Sequence, residues 1–178
     1  MMRKPGPLRQ GDVVGVLAPA GAVDPSSLDA GVRMLESAGF RVRLGATARG
    51  RAGYLAGPDR ERAADLHDMF RDPAVRAIFV ARGGYGSGRL LPLIDPAVAR
   101  EHPKVFVAHS DLTFLLNHLV QRAELVTFHG PMVAAFQRHP EAVEILLAML
   151  TGDRVAWHAS AQEVIQPGTC EGTLAGGC

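Results

Sequence analysis

The chain is poor in cysteine. Only Cys170 and Cys178 occur, both near the end, and they form neither a CxxC pair nor a zinc-ligand spacing. One disulfide would be a weak framework for 178 residues, so a reducing cytoplasm is the expected compartment. No stretch approaches the ~18 apolar residues of a membrane span, and no membrane partner is expected. Residues 1–7 carry basic side chains with no apolar run behind them, unlike a signal peptide. Charge of one sign is also missing: 19 Lys and Arg stand against 18 Asp and Glu, a net +1. With no like-charged run either, nothing favours nucleic acid as a partner. Internal repeats and low-complexity tracts are absent.

What is present is a globular balance, with 47% hydrophobic and 21% charged residues. The length suits one ordinary domain with room for the beginning of another. The apolar run at residues 13–18 reads as a buried strand, and residues 40–44, 75–81, 104–108 and 125–128 read as further strands. Between them lie helical stripes. Leu28, Val32 and Leu35 share one face of a helix that Gly39 stops. Ala63, Leu66 and Phe70 share another, with Asp59 as its expected cap. A short helix is expected over 89–94. Leu112, Leu115, Leu116 and Leu119 mark a helix from Asp111, and Val143, Leu146, Leu147 and Leu150 mark a later one. Strands alternating with helices predict an α/β fold: a mostly parallel sheet with helices on both faces. The pattern changes near residue 151. Residues 1–150 read as one α/β domain, and 151–178 as a linker and the first strand of a second.

Two segments fall where such a sheet binds ligands, beyond the carboxyl ends of its strands. Ala108-His109-Ser110-Asp111 joins a buried strand to an amphipathic helix. A nucleophile elbow has this layout: the turn exposes the Ser oxygen and aims the following N–H groups at the same spot. Ala108 and Leu112 stand where the G-x-S-x-G pattern has glycines, and Ser110 also suits a simple helix cap. The second segment, residues 82–88, holds Gly83, Gly84, Gly86 and Gly88. Its backbone could approach a ligand closely, or it could be a turn. It lacks both the P-loop pattern and a good dinucleotide fingerprint, so a nucleotide-binding module rests on the glycines alone. His109 should point away from its neighbour Ser110. His129, at a strand end, could line a site or bond a turn. No pair of histidines has a metal-ligand spacing with a carboxylate beside it, and no metal is expected.

Three ordered motifs together resemble the LD-carboxypeptidase family. They are Ala81-Arg82-Gly83-Gly84-Tyr85-Gly86-Ser87-Gly88-Arg89-Leu90-Leu91, then His109-Ser110-Asp111-Leu112-Thr113, then Thr127-Phe128-His129-Gly130-Pro131-Met132. The opening Gly11-Asp12-Val13 and Ala18-Pro19-Ala20-Gly21 fit as well. The family comprises cytoplasmic murein tetrapeptide carboxypeptidases and microcin C self-immunity hydrolases. The resemblance implies a Ser-Glu-His serine peptidase without metal or organic cofactor, which releases terminal D-Ala from murein tetrapeptides. Ser110 falls on its nucleophile, and the N–H groups of Asp111 and Gly84 on its oxyanion hole. Gly83, Tyr85 and His129 are candidates for the site lining. No position matches the Glu or the His, which family members carry on a second domain. The chain alone is therefore expected to be catalytically incomplete. The resemblance leaves a homodimer open. It also leaves open hydrolysis of peptidyl or acyl adenylates, and a non-catalytic remnant that binds small peptides.

Overall fold

The computed structural model describes residues 2–153 and 168–169. Five strands form one parallel sheet: β1 (Val13–Leu17), β2 (Arg41–Leu44), β3 (Val75–Val80), β4 (Val105–Ala108) and β5 (Phe128–His129). Their order in space is β2-β1-β3-β4-β5. The predicted fold class is therefore the observed one. The helices are α1 (Pro25–Ser37), α2 (Asp59–Arg71), α3 (Pro96–Glu101), α4 (Thr113–Ala123) and α5 (Pro140–Thr151). Three 3-10 turns, Gly88–Leu93, Ser110–Leu112 and Val133–Arg138, complete the described elements.

Strand alternation divides the core in two. Ile78, Val80, Phe106 and Ala108 point to one face, where α2, α3 and α4 bury Leu66, Val98 and Leu115. Ala77, Phe79, Val105 and Val107 point to the other, where α1 and α5 bury Leu28, Leu35 and Leu146. Phe70 stacks on Phe106 at 6.0 Å, and Phe136 meets Phe79 edge-on at 6.1 Å. The central strands β1, β3 and β4 are buried on both sides, which is why they read as continuous apolar runs, whereas the edge strand β2 alternates, with Arg41 and Arg43 exposed. Gly15 has a packing reason: a Cβ there would stand 2.6 Å from the Met69 sulfur of α2.

Local expectations were revised in a few places. Asp59 is not the cap of α2. Pro58 occupies that position, and Asp59 opens the helix with its carboxylate turned to Arg62 and Arg89. The helix expected from Asp111 starts as a 3-10 turn and becomes α-helical at Thr113. Where a helix over 89–94 was expected there is likewise a 3-10 turn, Gly88–Leu93, with Pro92 inside it. The fifth strand lies at 128–129, while Leu125 instead bridges to Arg3. α3 and the Val133–Arg138 turn were not anticipated, because six residues are too few to display a periodic stripe. Apart from 151–153 and 168–169, the expected linker and strand of a second domain lie outside the described residues. Among the described residues, no helix is long and apolar enough to cross a membrane.

Candidate active site

The order β2-β1-β3-β4-β5 reverses direction between β1 and β3, and a crevice opens at such a switch point beyond the strand ends. Three connections meet there: Ala18 to Gly21 after β1, the glycine segment after β3, and the elbow after β4. Gly21 N–H donates to the Gly83 carbonyl at 3.0 Å and ties the first to the second. A Cβ on Gly21 would sit 2.9 Å from that oxygen, so glycine is needed at this crossing.

The elbow is sharp. Ser110 has φ 60°, one of two non-glycine residues with positive φ among the described residues. That left-handed conformation costs an L-residue about 1 kcal/mol or more, and such strain clusters at functional sites. Ser110 is exposed, and no described side chain hydrogen-bonds its hydroxyl. Its carbonyl accepts from Thr113 Oγ1 at 2.7 Å, and the His109 carbonyl accepts from Leu112 N–H at 3.2 Å. These two bonds hold the turn while the side chain stays outside it.

The glycine segment lies against the elbow. A Cβ on Gly83 would stand 3.4 Å from Ser110 Cβ and 3.6 Å from its Oγ. Ser87, fully buried, bridges the two: its N–H donates to Asp111 Oδ2 at 2.8 Å and its hydroxyl to the Asp111 carbonyl at 2.6 Å. Gly84 has φ +105°, and a Cβ there would come within 2.4 Å of the Tyr54 hydroxyl. Among the described residues the Gly84 and Tyr85 N–H groups have no acceptor. Tyr85 itself is exposed.

Two histidines flank the elbow. His109 Nδ1 donates to the Gly130 carbonyl at 2.9 Å, which occupies that ring nitrogen. His129 pairs with Ala108 across β4 and β5, and its ring lies 5.9 Å from that of His109. It is exposed and has no hydrogen-bonded acid beside it among the described residues. Among the described residues, no cluster of three or more His, Cys, Asp or Glu side chains could hold a metal.

Sequence reasoning missed the groups that brace this site from behind. Arg62 of α2 is completely buried. Its Nε donates to the Gly57 carbonyl at 2.9 Å, and Nη1 donates to the carbonyls of Pro19 and Gly86, the latter at 3.1 Å. Its Nη2 pairs with Asp59, which also binds Arg89 at 2.8 Å. Burial pushes the Asp59 carboxyl up, but hydrogen bonds from Arg89 and Arg62 outweigh it and hold the group below its ordinary range. One helical turn on, buried Asp65 accepts from Ala46 N–H at 3.0 Å and Thr47 N–H at 2.9 Å. Thr47 Oγ1 in turn accepts from Ala18 N–H at 3.1 Å. The start of α2 is thus a polar clamp on the loops after β1, β2 and β3. The available signal was spacing: Arg62 lies four residues before Leu66, on the inward stripe.

Comparison with known proteins agrees with this geometry. The family description "LD-carboxypeptidase N-terminal domain" matches residues 14–130, a span that includes both the glycine segment and the elbow. The chain is 44% identical over 180 residues to a probable murein peptide carboxypeptidase of Bacillus subtilis, covering 98% of this chain and 56% of that protein. It is 36% identical over 128 residues to a murein tetrapeptide carboxypeptidase of Pseudomonas aeruginosa, covering 71% of this chain and 41% of that protein. Among solved structures, an MccF-like protein from Bacillus anthracis superposes with a TM-score of 0.80 at 32% identity, over 84% of this chain and 47% of the other. The chain spans about half the length of the curated relatives it matches. On the match across residues 14–130, the chain belongs to the family of LD-carboxypeptidase N-terminal domains.

Proposed function

We propose that this chain is the nucleophile-bearing part of a cytoplasmic serine carboxypeptidase that releases terminal D-Ala from murein tetrapeptides. The observation that carries the reading is the strained, exposed Ser110 at the end of β4, set against Gly83. In the proposed reaction Ser110 Oγ attacks the carbonyl carbon of the bond before D-Ala, and its proton passes to a histidine. The Asp111 and Gly84 N–H groups hold the oxyanion of the tetrahedral intermediate. Collapse breaks the C–N bond, the amine of D-Ala takes the proton, and the peptide remains as an ester on Ser110. Water, deprotonated by the same histidine, then hydrolyses that ester. The family resemblance assigns the histidine and its orienting Glu to a second domain.

The test is release of D-Ala from a murein tetrapeptide by this chain and by a version extended with a second domain of the family, each with Ser110→Ala as control. The extended version is expected to turn over, and Ser110→Ala to lower its rate by at least ~10³-fold. The short chain should be barely active. Unchanged turnover in Ser110→Ala would refute the nucleophile. Equal rates for short and extended versions would place the base within these residues, with His129 the first to mutate.

The likeness to an MccF-like structure favours one second reading, cleavage of a peptidyl or acyl adenylate by the same serine. Here the leaving group would carry a phosphate rather than a carboxylate. Incubation with an aminoacyl sulfamoyl adenosine alongside the tetrapeptide separates the two.

A further inference from the structure

A cleft of about 480 Å³ lies at the switch point of the sheet, between the start of α1 and the Val133–Arg138 turn. Arg82, His109, Arg138, His139, Asp24 and Met132 line it. It borders the elbow through Met132, whose Cε would lie 3.0 Å from a Cβ on Gly83, the same point that lies 3.6 Å from Ser110 Oγ.

The lining carries more positive than negative charge. Two arginines face a single carboxylate, Asp24, with the rings of His109 and His139 beside them. That carboxylate is already engaged: Asp24 Oδ2 accepts from Ser26 Oγ at 2.6 Å, and from the Ser27 N–H and hydroxyl at 2.9 Å each. Arg82 is held in place. Its Nη1 donates to the Ala22 carbonyl at 2.5 Å and its guanidinium lies 5.7 Å from the centre of the Tyr54 ring. The His109 ring is fixed through Nδ1 and the Gly130 carbonyl, which leaves Nε2 uncommitted. Arg138 has no hydrogen bond or ion pair among the described residues.

We infer that this cleft is a carboxylate subsite. It takes the free C-terminal carboxylate of the peptide, with Arg138 and Arg82 as the recognising groups. The inference rests on the proposed carboxypeptidase reading and adds how such an enzyme selects a chain end. In a carboxypeptidase the terminal carboxylate lies one residue beyond the attacked carbonyl, and one residue spans at most about 3.6 Å. An anion site must therefore adjoin the nucleophile, as this cleft does through Gly83 and Met132. A guanidinium presents a fork of donors that matches a carboxylate bidentately, whereas a neutral C-terminal amide offers one acceptor and no charge.

The experiment is calorimetric titration of this chain with a murein tetrapeptide, with the same peptide carrying a C-terminal carboxamide, and with AMP. It is run on the wild type and on Arg138→Gln and Arg82→Gln, with melting temperature as the check on folding. Arg138 is exposed and unpaired, so its variant tests the idea even if Arg82→Gln unfolds. The wild type is expected to bind the acid about 10- to 100-fold more tightly than the amide, and Arg138→Gln to bring that ratio close to one. Equal binding of acid and amide by the wild type overturns the subsite, as does a preference that survives both substitutions. Binding of neither peptide also overturns it. Strong AMP binding that depends on Arg138, with no preference between acid and amide, overturns the carboxylate in favour of a phosphate-bearing leaving group. Release of D-Ala, read separately with Ser110→Ala, judges the peptidase reading whatever the outcome here.

Discussion

Replacing Arg62 with Met removes the donors for three backbone carbonyls, those of Pro19, Gly57 and Gly86, and one partner of Asp59. Each buried carbonyl left without a donor costs about 1–3 kcal/mol. Against that, the folded state no longer has to desolvate a guanidinium, and Asp59 keeps Arg89 as a partner. Removing one member of a buried pair typically costs about 3–5 kcal/mol after such offsets, so a loss of ~4 kcal/mol is expected. For a domain of this size urea unfolding has a slope of roughly 2 kcal/mol per molar, and the midpoint should fall by about 2 M. Arg62→Lys should lose about half as much, since an ammonium can reach some of the same carbonyls. Arg71→Met is the control: that side chain is exposed and stands 4.0 Å from Asp68, so its effect should stay within ~0.5 kcal/mol. Amide hydrogen exchange supplies a local readout, and it should speed up at residues 83–88 before the rest of the chain. A midpoint shift below about 0.5 M for Arg62→Met would refute the reasoning. It would mean that water replaces the guanidinium at little cost, and that the loops do not depend on it.

Three further outcomes are expected. Gly31→Ala should destabilise by about 2 kcal/mol in urea unfolding, because the new Cβ would lie 2.0 Å from the Val133 carbonyl oxygen and overpacking outweighs the ~1 kcal/mol that alanine gains in a helix; unchanged stability would show that α1 can shift freely. Ser87→Ala should cost about 1–2 kcal/mol by leaving the Asp111 carbonyl without its hydroxyl donor, and should loosen the elbow in hydrogen exchange; an unaltered exchange pattern would sink the bridging role. Burial, with Arg76 adding repulsion, lowers Lys104 from 10.5 to about 8. The unfolded chain therefore holds that proton when the folded one has lost it. Stability should rise between pH 8 and 10.5, by no more than about 3 kcal/mol, and this rise should be missing in Lys104→Met; parallel profiles for the two proteins would contradict the shift.

The family match and the elbow could both be read from residue order, because their signals are local. An apolar run ending in Ala108-His109-Ser110 and followed by a leucine stripe dictates a strand, a turn and a helix whatever surrounds them. The same holds for the division of helices between two faces, which follows from strands too apolar to face water. α3 was not read, although its start carries a local signal: Asp95 caps it by accepting from Ala97 N–H at 2.9 Å, and Pro96 fills the first position.

What the sequence by itself determined is thus the alternation of strands and helices, the parallel sheet, and the position of Ser110 and the glycine segment at one end of it. Tertiary structure alone decided the rest. Arg62 lies on the inward stripe four residues before Leu66, a spacing that marks its face but not its partners; only the approach of three loops from elsewhere in the chain makes it a buried donor. The placing of the elbow against the glycine segment depends on the bonds from Ser87 to Asp111, which join residues 24 apart in the chain. Gly31 reads as a weak point in a helix until Val133 comes against it. The cationic cleft gathers Asp24, Arg82, His109 and Arg138 from four separate connections. Periodicity and capping act over a few residues, so they are written in order along the chain. Contacts between distant residues depend on how the layers close, and no local pattern records them.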